Sequence, residues 1–439
     1  MTDATQAHPV RSAVAAGLAC LAVQGWAAWT TPSIGFAKYT LAVRQWAEGT
    51  LAPERLVDFS PAYFRLVELV ASLTEQPERW LVGLQIVLVA VTVGGVHGLI
   101  ARRLSPRLAW LGSGLLILDR HLLIYARVLE PEILLLASLM AVAVLLEPSP
   151  AGDSPRWRDV TAGLVAGLAI ATRPTFLPVF ALIPAFHALR GVPAGRLVRR
   201  SAPFLLAMLP GLILMFATTH EATGELGTPV MNPGTVFFEG HHPLSHGTSA
   251  IYPPAVAARL GEIRGVPDPA HVLYRQIARA EVDCTGVTAA SIGEVNARWS
   301  DLARHHLLAD PAVSLRRIAI KARYAFHSFR WHDLPAAWVL DGRLRLPAVP
   351  FAVVSALALL GLIAESRRWR DALIFYTLLA IPLAVMLAFY VSARQRLVAI
   401  PALVYFALIG IEALRGRRSE AIRPWIGGLL AVVLVPLFV

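Results

Sequence analysis

Apolar residues run through this 439-residue chain in long blocks, and the gaps between blocks are mostly short and rich in arginine. A bilayer core about 30 Å thick needs roughly 20 apolar residues per helix. About eleven stretches meet that requirement, near 12–31, 80–100, 108–127, 131–147, 159–172, 175–189, 202–219, 346–364, 372–390, 397–414 and 424–439. The fold class this predicts is an all-α polytopic membrane protein with surface helices. The first block ends in Thr30-Thr31-Pro32 without a small-residue cleavage pattern, so it reads as a retained anchor.

Two polar interruptions divide the chain. An N-terminal transmembrane module, 1–219, contains the first at 33–78; the second, 220–345, is long enough for a small domain; 346–439 returns to the membrane. In the first, Phe36, Tyr39, Leu41, Val43 and Trp46 mix with Lys38, Arg44 and Glu48 before Gly49, and Pro61 opens a second amphipathic stretch. Both predict short helices lying along a membrane surface. The second begins in turn-rich sequence around Asn232-Pro233-Gly234 and Phe237-Phe238-Glu239-Gly240-His241-His242-Pro243. Helical patterns follow near 254–264, 270–283, 291–309 and 311–330, the last opened by Asp310-Pro311 as N-cap and first-turn proline.

Charge orients the bundle. With the N-terminus inside, the even-numbered connections hold clusters such as Arg102, Arg103 and Arg107, then Arg196, Arg199 and Arg200, then Arg367, Arg368 and Arg370. The positive-inside rule puts these in the cytoplasm and both polar interruptions outside. The net charge of +11 is therefore spread over connections that face anionic headgroups, and nucleic acid is not implied. Lys38 and Lys321 are the only lysines, and the excess of Ala and Arg hints at a GC-rich bacterial genome, hence a bacterial inner membrane. Cys20 in the first span and Cys284 in the long loop are not expected to form a disulfide.

Acids on the outer face are the candidate bases: Asp58 in Val57-Asp58-Phe59-Ser60-Pro61, and Glu130 and Glu132 around Pro131. Each also has a plain structural reading, as a helix cap for Asp58 and as helix-start acids favoured by the dipole for the glutamates. The cations that break the orientation rule are Arg173, Lys321, Arg394 and Arg396. Arg173 follows a span of fourteen apolar residues, which rises about 21 Å, so it falls near the outer half of the bilayer. Guanidinium forks match phosphate oxygens, and a lipid phosphate suits such cations; pairing with Glu130, Glu132 or Asp119 is the competing reading. Asp119-Arg120-His121 interrupts the third span and reads as a supporting polar network, with Asp119 and Glu130 on one face of a continuous helix. His242 and His246 are four apart and His305-His306 lie further on, but the first pair flanks Pro243 and lacks a carboxylate partner, so a polar substrate rim is favoured over a metal site.

The order of these features resembles the GT-C superfamily of polyprenyl-phosphate-sugar glycosyltransferases, in the bacterial branch similar to protein mannosyltransferases and aminoarabinose transferases. The residues that carry the likeness are Ser60-Pro61-Ala62-Tyr63, Ala126-Arg127-Val128-Leu129-Glu130-Pro131-Glu132, Gly167 through Arg173-Pro174, Phe237-Phe238-Glu239-Gly240, Asp310 through Lys321, and Arg394-Gln395-Arg396-Leu397. The acidic residue such proteins carry shortly before the tyrosine of the first surface helix is missing: the stretch here is Ser33-Ile34-Gly35-Phe36-Ala37-Lys38-Tyr39.

The resemblance implies a GT-C-like fold and an inverting transfer of a sugar from a polyprenyl phosphate to an extracytoplasmic hydroxyl on a glycan, lipid or protein. The base is then Asp58, Glu130 or Glu132. Arg127, Arg173, Lys321, Arg394 and Arg396 become the phosphate holders, and Lys38, Tyr39, Tyr63, Glu239 and His242 contact substrate. No cofactor is required, and a divalent metal is the less favoured addition. The chain has no Asp-x-Asp triplet and no strand–glycine-loop–helix unit, which argues against a nucleotide-sugar donor. A lipid-linked saccharide flippase and a non-catalytic partner of a transferase are the alternatives, although paired halves of the transporter kind are not evident.

Overall fold

The computed structural model describes residues 3–31, 38–51, 53, 56, 59–147, 155–181, 183–189, 191–224, 233–242, 245, 247–248, 292–328, 330, 332 and 334–416, and within them every regular element is helical. The long first helix α1 (Asp3–Thr30) is followed by two short ones, α2 (Lys38–Ala47) and α3 (Pro61–Leu73), which match the two predicted surface helices. Ser60 caps α3 by accepting from the Tyr63 N–H, and Pro61 occupies the first turn, where no donor is needed. Next come α4 (Pro77–Arg103), α5 (Pro106–Ile117), α6 (Arg120–Tyr125), α7 (Glu132–Leu146) and α8 (Arg156–Thr172).

The predicted span at 108–127 is therefore not one helix. Asp119 leaves the helical conformation and its carboxylate accepts from the Leu122 N–H at 3.0 Å, which starts α6 afresh. Asp119 and Glu130 consequently do not share a face of a continuous helix. The 175–189 stretch is divided as well, into a 3₁₀ turn (Pro174–Phe176), α9 (Leu177–Ala181) and α10 (Ile183–Leu189), since Pro174, Pro178 and Pro184 each remove a backbone donor. The module closes with α11 (Ala194–Thr223).

After α11 the turn-rich sequence forms a helix instead, α12 (Pro233–His241). It packs on α13 (Ile292–Ala309), where Phe238 meets the buried Trp299 with ring centroids 4.3 Å apart. The helices predicted near 254–264 and 270–283, and the span at 424–439, lie outside the described residues, as does Cys284. Then follow α14 (Pro311–Phe326), with Asp310 as its N-cap, α15 (Pro335–Arg343), α16 (Phe351–Glu365), α17 (Leu373–Ala388), the five-residue α18 (Ala393–Leu397) and α19 (Ile400–Arg415).

Among the described helices, segments of α1, α4 and α11 are long and apolar enough to cross a membrane, and α7 and α17 are shorter apolar helices. The chain is thus a helical membrane protein, with fewer long continuous spans among these residues than the hydropathy pattern suggests. Lipid supplies no hydrophobic drive between helices, so close backbone packing has to. At the α8–α11 crossing a side chain on Gly211 would overlap the Gly167 backbone, and at the α16–α19 crossing one on Gly361 would overlap Phe406 O.

The bundle has two unlike ends. At one, the ends of α4, α7, α16 and α19 gather Arg103, Glu147, Glu365 and Glu412 around a charged cavity of about 980 Å³, with Arg103 bonded to Glu147 at 2.6 Å. At the other, the start of α7, the end of α8 and the short α18 meet beneath α2 and α12.

Candidate functional site

A cavity of about 410 Å³ occupies that second end, with Glu130, Glu132, Arg173, Arg394, Lys38 and Tyr39 in its wall. Glu132 is the first residue of α7, where a carboxylate suits the exposed N–H groups. Arg173 ends α8: its N–H donates to Ala169 O at 2.8 Å, and its guanidinium pairs directly with the Glu132 carboxylate. Arg394 follows the Ser392 cap of α18 and reaches between the acids, 3.6 Å from Glu130 Oε2 and 3.6 Å from Glu132 Oε1. Both glutamates are buried.

The two acids differ. Glu132 faces two guanidiniums, one in direct contact. Glu130, in the irregular turn between α6 and α7, is approached by Arg394 at 3.6 Å and has no guanidinium in direct contact among the described ion pairs. Burial pushes its carboxyl up; Arg394 opposes that, Glu132 adds to it, and Lys38 and Arg173 pull it back in part, leaving it above the ordinary carboxylate range.

Tyr39 forms the opposite wall. Its hydroxyl accepts from the Ser60 N–H at 3.1 Å, and its ring meets Phe59 and Tyr63 edge-on at 5.2 and 4.8 Å. Lys38 Nζ lies 5.0 Å from the Phe59 ring centroid, a cation–π distance. Asp58 lies outside the described residues. Its neighbours Phe59 and Ser60 line the cavity.

Three of the five predicted phosphate cations do not line the cavity, and for one reason. The last carbonyls of a helix have no internal partner, and each cation closes such an end. Arg127 donates to Ala27 O and Thr31 O, both at 3.0 Å, at the end of α1, and to Leu123 O at 2.8 Å. Arg396 donates to Tyr324 O and, at 2.9 Å, to His327 O at the end of α14. Lys321 donates to Leu387 O at 3.2 Å at the end of α17, beside His241, which bonds Ala388 O at 2.7 Å. Burial, then Arg317, holds the Lys321 ammonium down to about 7, which makes it a weak anion holder at neutral pH.

Of the predicted substrate residues, Lys38 and Tyr39 line the cavity, whereas Tyr63 stands one layer behind Tyr39. Glu239 and His242 are buried in and just after α12, away from the lining, with His242 stacked on Phe238 at 5.3 Å. Among the described residues no group of three His, Cys, Asp or Glu side chains has the geometry to hold a metal, and His246 lies outside them. Asp119-Arg120-His121 is a supporting network: Arg120 binds the Asp341 carboxylate and Leu344 O, and Asp341 also accepts from Arg330 at 2.8 Å and bonds His332 at 3.1 Å.

Sequence reasoning missed part of the lining, including Thr172, Phe176, Val385 and Tyr390. Apart from Tyr390, beside the Arg394 connection, these look like ordinary span residues. They acquire a role only because α8 and α17 end at the cavity.

Residues 58–219 match the family model described as dolichyl-phosphate-mannose-protein mannosyltransferase. That region, a little over a third of the chain, is similar to this family of GT-C glycosyltransferases. The matched stretch contains Glu130, Glu132 and Arg173, while Lys38 and Arg394 reach the same cavity from outside it. Comparison with curated proteins gives no match to the chain.

Proposed function

We propose that the chain is an inverting glycosyltransferase that moves a sugar from a polyprenyl phosphate to a hydroxyl at the extracytoplasmic face of a bacterial inner membrane. The observation that carries this reading is that the charged cavity and an apolar one are lined by neighbouring residues of the same segments. One turn along α7 from Leu135 is Leu139, four residues on from Phe176 of the 3₁₀ turn is Phe180 of α9, and next to Pro382 on α17 is Ile381; these second residues line an almost purely apolar cavity of about 260 Å³. A cluster of charged groups close to an apolar slot suits a phosphate ester with a long hydrocarbon tail.

In this reading Glu130 is the base and Glu132 orients the cations. Glu130 removes the proton from the acceptor hydroxyl, and the oxygen bonds to the anomeric carbon from the face opposite the phosphate. The bond from that carbon to the phosphate oxygen breaks, its electron pair leaves with polyprenyl phosphate, and configuration inverts. Arg173, Arg394 and Lys38 stabilise the charge that grows on the leaving group, so no acid is needed there. A raised carboxyl is a stronger base near neutral pH than an ordinary glutamate.

The test is transfer of labelled sugar from a panel of polyprenyl-phosphate sugars in membrane extract. Wild type should release polyprenyl phosphate with transfer, and Glu130→Gln should lose at least about 10²-fold in rate, the usual scale of a general base. Loss in Asp58→Asn with Glu130→Gln active would move the base to Asp58. Donor binding without transfer by wild type would favour a flippase or a non-catalytic partner.

A further inference from the structure

Gln85 lies within the apolar span of α4, is almost wholly buried, and uses both ends of its amide. Its Oε1 accepts from the Tyr63 hydroxyl at 2.7 Å. Its Nε2 faces three carbonyls of the turn between α6 and α7: Tyr125 O at 3.3 Å, Ala126 O at 3.2 Å and Val128 O at 2.9 Å. Val128 O also accepts from the N–H of Glu130 itself, at 2.8 Å. One amide is thus a single carbonyl away from the backbone of Glu130. Through Tyr63 it also contacts Tyr39, the other wall of the cavity.

The turn needs such a partner. Carbonyls at the end of α6 have no helical donors, and in an apolar interior they have no water either. A carboxylate in place of Gln85 would offer no donor, and an aliphatic side chain would offer neither donor nor acceptor. Putting a primary amide in a membrane-spanning helix is costly unless both ends are satisfied, and here they are satisfied by the two walls of the site.

We propose that Gln85 is a positioning residue for transfer, fixing the turn that carries Glu130 and setting it against the Tyr39–Tyr63 wall. This rests on the reading of Glu130 as the base. Misplacement of about 1 Å in such a group costs on the order of 10²-fold in rate. Glu130 is faced by Arg394, Glu132, Lys38 and Arg173. If the turn loosens, its approach to Arg394 lengthens, and since that arginine favours the ionised acid, Glu130 should ionise at higher pH.

The experiment compares wild type, Gln85→Met, Gln85→His and Tyr63→Phe as full-length protein in nanodiscs. Methionine keeps the volume and removes the hydrogen bonds, histidine retains one donor and one acceptor, and phenylalanine removes one hydroxyl. Gln85→Met should lower kcat by about 10²-fold, leave KM for the donor within a few-fold, and move the acid limb of the rate profile to higher pH. Tyr63→Phe should do the same more weakly, and Gln85→His should recover part of the rate. Amide exchange of the 125–131 peptide should speed up in Gln85→Met. An unshifted acid limb with a rate loss matched by lowered thermal stability would reduce Gln85 to a packing residue and overturn the proposal. If wild type transfers nothing, the transferase reading fails by itself, and the exchange result still decides whether Gln85 holds the turn: unchanged exchange overturns it.

Discussion

Glu130 and Glu132 are two positions apart and stand in different fields. Arg173 contacts Glu132 directly while Arg394 lies 3.6 Å from each acid, so one carboxylate is spent on orienting cations and the other stays raised by burial. Transfer should fall as pH drops through the Glu130 pKa, because the base must be ionised, and the midpoint should lie above the ordinary carboxylate range. Arg394→Met removes the largest group favouring ionisation, so it should move that midpoint further up while lowering kcat; a rate profile against pH reads both. Glu132→Gln should instead weaken donor binding, seen as a raised KM, since Arg173 loses the carboxylate that orients it.

At the scale of elements, the recurring device is a cation closing a helix end. Arg127, Lys321 and Arg396 sit at the ends of α1, α17 and α14. By sequence they cannot be told from phosphate ligands, since any buried arginine seeks oxygen and only the fold says whether the oxygen belongs to a helix or a lipid. Asp341 shows the opposite case, an acid gathering three partners from two segments, Arg120 of α6 and Arg330 and His332 of the connection before α15. Burial alone would raise its carboxyl, but hydrogen bonds from His332, Arg120 and Arg330 outweigh it and hold it well below the usual carboxylate range. A depressed folded-state pKa contributes stability above the unfolded value and loses it as pH falls through the folded one. Asp341→Asn should therefore cost about 3 kcal/mol, read as a lower thermal midpoint in detergent at neutral pH, with the difference from wild type shrinking in strong acid. At the α8–α11 crossing, Gly211→Leu should separate the helices and displace Arg173; loss of thermal stability together with loss of donor binding is the expected outcome.

At the scale of the molecule, the charged cavity and the apolar one are lined by neighbouring residues of α7, α17 and the stretch from Pro174 to Ala181, and the proposed donor would place its head in the first and its tail in the second. Val142→Trp, which fills the apolar part, should raise KM for a long-chain donor several-fold and leave a short-chain donor nearly unchanged; equal effects on both would mean that the tail does not lie there. The hydrophobic pattern by itself determined that the chain is helical and membrane-bound, and where most helices lie, since apolar run length is a local property set by bilayer thickness. It also placed Glu130, Glu132, Arg173 and Arg394 among the candidates, because charges that break a hydropathy pattern are visible without coordinates. Only the tertiary structure decided that Asp119 divides a predicted span, that three cations serve as helix caps, and that Gln85 ties the Glu130 turn to the Tyr39 wall. Each of those depends on which carbonyls lack partners once the helices are packed. That is a property of contacts far apart in the chain, and no periodicity records it.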